Sequence, residues 1–120
     1  DAYNNRGIAY KNSGDLEQAI ADCNQAIALD PDYADAYNNR GIAYRNSGDL
    51  EQAIADYNQA IALNPDLADA YNNRGSAYYE SGDLEQAIAD LERYLELVPN
   101  ASNREAVLNV IKKLKAESGQ

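Results

Sequence analysis

A single thiol, pairs of carboxylates and rows of amides are the side chains in this sequence with chemistry to offer. Cys23 is the one cysteine, and no histidine occurs anywhere to activate it; a nucleophilic thiol needs such a base. It falls among Leu16, Ala19, Ile20, Ala26 and Ile27, an apolar series at helical spacing, and is read as core. Asp15 and Glu17 look like paired acids, but they return as Asp49/Glu51 and Asp83/Glu85. They are repeated surface residues rather than the carboxylate pair of a glycosidase. Asp30-Pro31-Asp32 with Asp35 has the acidity for Ca²⁺ but neither the loop length nor the glycine of a calcium loop, and helix capping accounts for it. Lack of His removes the commonest general base and metal ligand. With no nucleophile–base pair and no metal cluster, the expectation is a non-enzyme with no metal and no cofactor.

The amides are the more promising chemistry. Asn5, Asn39 and Asn73 lie 34 residues apart, each in an Asn-Asn pair. Asn is a poor helix former, so these pairs conflict with the helical pattern around them. One reading is functional: a primary amide both donates and accepts, and can pair with the backbone of an extended peptide. The other is that Asn is a soluble filler copied by duplication.

The elements that must position these side chains are set by the repeat. Residues 1–34, 35–68 and 69–101 are three copies of one pattern; the first two differ only at Lys11/Arg45, Cys23/Tyr57, Asp30/Asn64 and Tyr33/Leu67. A 34-residue step is the interval of a helix–turn–helix solenoid unit, and about three units are needed because each buries its apolar face only against neighbours. In the first copy Tyr3, Gly7 and Tyr10 share one helical face. Gly14 closes that helix, Asp15 caps the next with Gln18 completing a capping-box-like pair, and Pro31 ends it. Asp32 is placed to cap the next helix in turn. The spacing predicts helices near 1–13, 16–29, 35–47, 50–63, 69–81 and 84–97. After Pro99 the repeat stops. Asn100, or Ser102 with Glu105, caps a seventh helix at about 102–116, whose stripe is Val107, Val110, Ile111 and Leu114. Tyr94 replaces Ala26 and Ala60 of the earlier copies, so a different partner is expected to pack there.

Composition narrows the partners. A formal net charge of −10 disfavours nucleic acid, whose phosphates it would repel. No apolar run is long enough to span a bilayer, so no membrane is expected. One unpaired cysteine fits a reducing, cytoplasmic compartment. A chain beginning at Asp1 rather than Met is expected to be part of something longer.

Tyr3-x-x-Arg6-Gly7-x-x-Tyr10…Ala19…Cys23…Ala26…Pro31 resembles the tetratricopeptide repeat, with in-register copies at Tyr37/Arg40/Gly41/Tyr44/Ala53/Tyr57/Ala60/Pro65 and Tyr71/Arg74/Gly75/Tyr78/Ala87/Leu91/Tyr94/Pro99. The resemblance covers the chain to Pro99, and 100–115 is similar to the family's C-terminal solvating helix. It implies an all-α solenoid: a single domain over 1–120, a right-handed superhelix of antiparallel helix pairs with seven helices. It also implies that the first helices line a concave groove for peptides or partner proteins. In that geometry the groove candidates are Asn4, Asn5, Ile8, Lys11 and Asn12 in the first copy. They are Asn38, Asn39, Ile42, Arg45 and Asn46 in the second, and Asn72, Asn73, Ser76 and Tyr79 in the third. The Asn5/Asn39/Asn73 ladder is similar to the asparagine ladder in the repeats of O-GlcNAc transferases. Ile8 and Ile42 are apolar where a solvated face would be polar; inter-unit packing is the alternative.

Two departures from the family pattern matter. Arg6, Arg40 and Arg74 stand where the family has Leu. An Arg facing the core needs a partner, and the pairs expected are Arg6–Asp22, Arg40–Asp56 and Arg74–Asp90. Repeat domains that clamp the C-terminal carboxylate of heat-shock chaperones carry cations where this chain has Asn4, Ile8, Asn39, Asp69 and Asn73; only Asn39 matches, which excludes a carboxylate clamp. The expected function is therefore a protein–protein interaction module for a neutral or mildly basic peptide or segment. The alternative is a structural, consensus-like array that self-associates end to end through an uncapped N-terminal face.

Overall fold

The computed structural model describes residues 15–119. All regular structure among them is helical: α1 (Leu16–Leu29), α2 (Ala34–Asn46), α3 (Leu50–Leu63), α4 (Ala68–Ser81), α5 (Leu84–Leu97) and α6 (Arg104–Ser118). The helix expected over 1–13, and with it Asn4, Asn5, Arg6, Ile8, Lys11 and Asn12, lies outside the described residues. The chain forms two compact units, residues 1–67 and 68–120.

In the first unit α1 packs on α2 and α2 on α3. The interior is made of small residues, Ala19, Ala26, Ala36, Ala43, Ala53 and Ala60, around Cys23 and Tyr57. Small side chains bring the helices close, and Gly41 marks the tightest approach. A Cβ there would lie 2.6 Å from Cε1 of Tyr57, well inside van der Waals contact. Cys23 is buried, as its place in the apolar series required.

The turns obey the sequence signals, with two corrections. Asp15, Asp49 and Asp83 cap α1, α3 and α5, their carboxylates accepting from the backbone N–H of Gln18, Gln52 and Gln86 at 3.2, 3.2 and 3.3 Å. Gly48 and Gly82 take φ of 89° and 88°. There the N–H groups of Asp49 and Asp83 reach back to Tyr44 O and Tyr78 O at 2.9 Å, closing α2 and α4 with left-handed glycine caps. The first correction concerns Gln18, whose amide points forward to Asp22 Oδ1 at 3.2 Å. The second is that Asp32 caps nothing. Tyr33 occupies the cap position of α2 without a side-chain bond, and Asp30 accepts from the N–H of Asp32 at 3.1 Å. Asn64 does the same for Asp66 at 3.2 Å. The short side chain before each proline folds the turn itself.

In the second unit α4 packs on α5 and α5 on α6. Ile88, Leu91, Tyr94 and Leu95 of α5 meet Val107, Ile111 and Leu114 of α6 in one core. Tyr94 is the partner change that its substitution announced: its hydroxyl donates to Asn103 Oδ1 at 2.9 Å. That bond also explains why α6 begins at Arg104 rather than near 102. Asn103 is the cap residue, but its side chain serves Tyr94 and makes no cap bond, and the Ser102–Glu105 box is not used. Val110, expected in the buried stripe, is 43 % exposed.

Candidate functional site

The arginines fix how the first-type helices present their faces. Arg40 Nε and Nη2 donate to Asp56 Oδ2 and Oδ1 at 2.8 and 2.7 Å. Arg74 repeats the bidentate fork on Asp90 at the same distances. The arginine side chains keep 22 % and 19 % of their surface and the aspartates 7 % and 5 %, so both pairs are largely withdrawn from water. The Tyr37 and Tyr44 rings flank the Arg40 guanidinium at 5.5 and 6.0 Å; Tyr71 and Tyr78 flank Arg74 at 5.6 and 5.8 Å. The negative ring faces favour the cation. The hydrogen bonds to Asp56 and Asp90 hold both guanidinium groups above the ordinary arginine value, against the opposing effect of burial. Arg40 Nη1 also donates to Asn24 Oδ1 on α1 at 2.9 Å, so one side chain ties three helices. Two of the three expected ion pairs are thus present. Asp22 is buried; its expected partner Arg6 lies outside the described residues.

With the arginine drawn to one side of each first-type helix, the other residues fall on the remaining faces. On α2, Asn39, Ile42 and Arg45 are half-buried and Asn46 is exposed. Asn38 is only 7 % exposed and has little surface to offer a ligand. On α4, Asn72, Asn73 and Ser76 are half-buried and Tyr79 is exposed.

The second unit contains a concavity on this face. Asn72, Gly75, Ser76 and Tyr79 of α4, Leu91 of α5, and Ala106, Val107 and Val110 of α6 line a mainly apolar pocket of about 160 Å³. The structure thereby brings together Asn72, Ser76 and Tyr79, whereas Asn73 is not part of the lining. The α6 contribution was missed, because 100–115 reads as a cover for the core. The sequence held no signal for it, since Val110 falls at helical spacing within the expected Val107–Val110–Ile111–Leu114 stripe. A wider cleft of about 480 Å³ runs between α5 and α6. It is lined by none of the expected groove residues, and its Lys115 and Glu92 pair at 3.4 Å. Among the described residues no group of His, Cys, Asp or Glu is gathered to hold a metal ion. No helix among them is long and apolar enough to cross a membrane.

Residues 6–72 and 41–112 match a tetratricopeptide repeat family model, and the chain belongs to that family. No curated protein sequence gives a significant match. Among solved structures, the first repeat domain of Spaghetti (RPAP3) bound to the HSP90 peptide SRMEEVD is 30% identical. It superposes with a TM-score of 0.91 over 99% of this chain and 92% of that one. The second repeat domain of human RPAP3, in complex with the HSP70 peptide SGPTIEEVD, is 33% identical with a TM-score of 0.82, covering 92% of each chain. The translocator chaperone SycD of Yersinia enterocolitica shares the fold, with a TM-score of 0.90 at 16% identity over 99% of this chain and 85% of that one.

Proposed function

We propose that this chain is a protein-interaction module. The amides proposed to pair with an extended peptide or a segment of a partner protein are Asn39 and Asn73, each on a first-type helix; Asn5, their counterpart in the first copy, lies outside the described residues. The observation that carries this reading is the concavity on α4, where residues of the expected binding stripe meet exposed apolar side chains of α6. Two similar structures hold peptides, which supports the class of ligand but not its sequence. Those peptides both end in Glu-Glu-Val-Asp, with three acids in the last four residues. Here Asp69 and Asn73 stand where a carboxylate clamp needs cations, and the chain carries a net charge of −10. The ligand proposed is neutral or mildly basic and is held by shape and amide hydrogen bonds.

A peptide library screened against the whole chain, with Asn39→Ala and Asn73→Ala as controls, tests this. Selected peptides are expected to lose about tenfold in affinity to the double variant, roughly one to two hydrogen bonds. SRMEEVD is expected to show no saturable binding by calorimetry. Unchanged affinity in the double variant would retire the ladder, and tight binding of SRMEEVD would retire the charge rule.

A further inference from the structure

We infer that the pocket between α4 and α6 selects its ligand by one aliphatic side chain of Leu, Ile or Met size, carried next to a basic residue. This rests on the interaction-module reading and adds the chemistry of the anchor.

Three observations carry it. The first is a substitution internal to the repeat. Ser76 stands where the other copies have Ile8 and Ile42. Here a bulky side chain has given way to a small one, and Ser76 lines the pocket. Its hydroxyl donates to Asn72 O at 3.1 Å, so the polar atom is turned back to its own helix and satisfied there. The second is exposure. Tyr79 and Val110 are 42 % and 43 % exposed, two of the four exposed large apolar residues among the described ones, and both are lining residues. The third is fit and charge. An apolar cavity of about 150 Å³ takes a benzene-sized guest, so a pocket of about 160 Å³ has room for one branched aliphatic side chain. The exposed charges nearest the lining in sequence are mostly acidic: Asp69 lies one turn before Asn72, Glu80 follows Tyr79 and Glu105 precedes Ala106, in a chain of net charge −10. The cation Lys113, one turn beyond Val110, lies 4.0 Å from Glu117. A carboxylate beside the anchor would be repelled, and an ammonium or guanidinium favoured.

The test uses the whole chain and four capped hexapeptide pools with fixed central pairs, Leu-Lys, Ser-Lys, Leu-Asp and Phe-Lys, titrated while the Val110 methyl signals are followed by NMR. Leu-Lys is expected to bind about tenfold or more tighter than Ser-Lys, the effect of burying one aliphatic side chain. It is also expected to bind tighter than Leu-Asp and Phe-Lys. Ser76→Ile restores the residue of the other copies and fills the pocket. It is expected to erase the Leu-over-Ser preference, with the melting temperature showing that the fold is kept; Val110→Gln, at an exposed site, is the second probe. Equal binding of the pools, a preference for Phe-Lys or Leu-Asp, or a Leu preference that survives both variants would overturn the inference. If the pools bind equally and that binding is weakened by Asn39→Ala/Asn73→Ala, the module reading survives without it. If no pool binds, both fall.

Discussion

At the scale of single residues, the Arg–Asp forks decide the most. A pair this far from water is costly to form and more costly to break, because removing one partner strands the other charge. Asp56→Ala is expected to cost about 3 kcal/mol in urea unfolding, with the Arg40→Leu/Asp56→Ala double variant recovering most of the loss. Recovery is expected because the family carries Leu where Arg40 stands. The pH dependence has a defined sign. Arg40 is held above its ordinary value by Asp56, so its contribution is complete below that value and is lost only as pH climbs past the raised one. The Asp56→Ala deficit is therefore expected to stay flat between about pH 7 and 10, far below the arginine range. A deficit that shrinks across that interval would show that another group carries it.

At the scale of elements, the two glycines of the helical hairpins look alike in sequence and differ in space. A Cβ on Gly41 runs into the Tyr57 ring at 2.6 and 2.8 Å, whereas one on Gly75 meets Leu91 at 3.2 Å and Ala87 O at 3.3 Å. Tyr57 is fully buried and has nowhere to go. Gly41→Ala is expected to destabilise by about 1–3 kcal/mol, the usual range for overpacking. Gly75→Ala is expected to fall within about 1 kcal/mol of neutral, since the helix gains about that much from replacing glycine. Thermal unfolding of the two variants side by side reads the difference. The limits of the six described helices were legible to within a residue or two, because Gly48, Gly82 and Pro65 act through local backbone conformation. The Arg–Asp pairing was legible too, since a polar residue at a core position demands a partner. Three things could not be read: Asn24 as a third ligand of Arg40, the burial of Asn38, and α6 as a wall of the pocket. Each depends on where one helix lies against another, and a period along the chain does not encode that.

At the scale of the whole chain, charge is the dominant property. Twenty acids stand against ten bases, so the folded state works against its own repulsion. Raising NaCl from about 0.02 to 0.3 M is expected to raise the melting temperature by a few degrees, because the Debye length then shrinks below typical spacings between surface charges. A melting temperature that falls would mean that the surface ion pairs outweigh the repulsion.

The bond from Tyr94 to Asn103 makes the copies unequal. Residues 35–67 transplanted over 69–101 would put alanine where that ring stands, emptying the seat of the last helix and leaving Asn103 without its donor. The third copy is thus a terminator, shaped to receive α6. Lengthening by duplication is therefore open to the earlier copies, and their near-identity beside a divergent third is the pattern such a rule would leave.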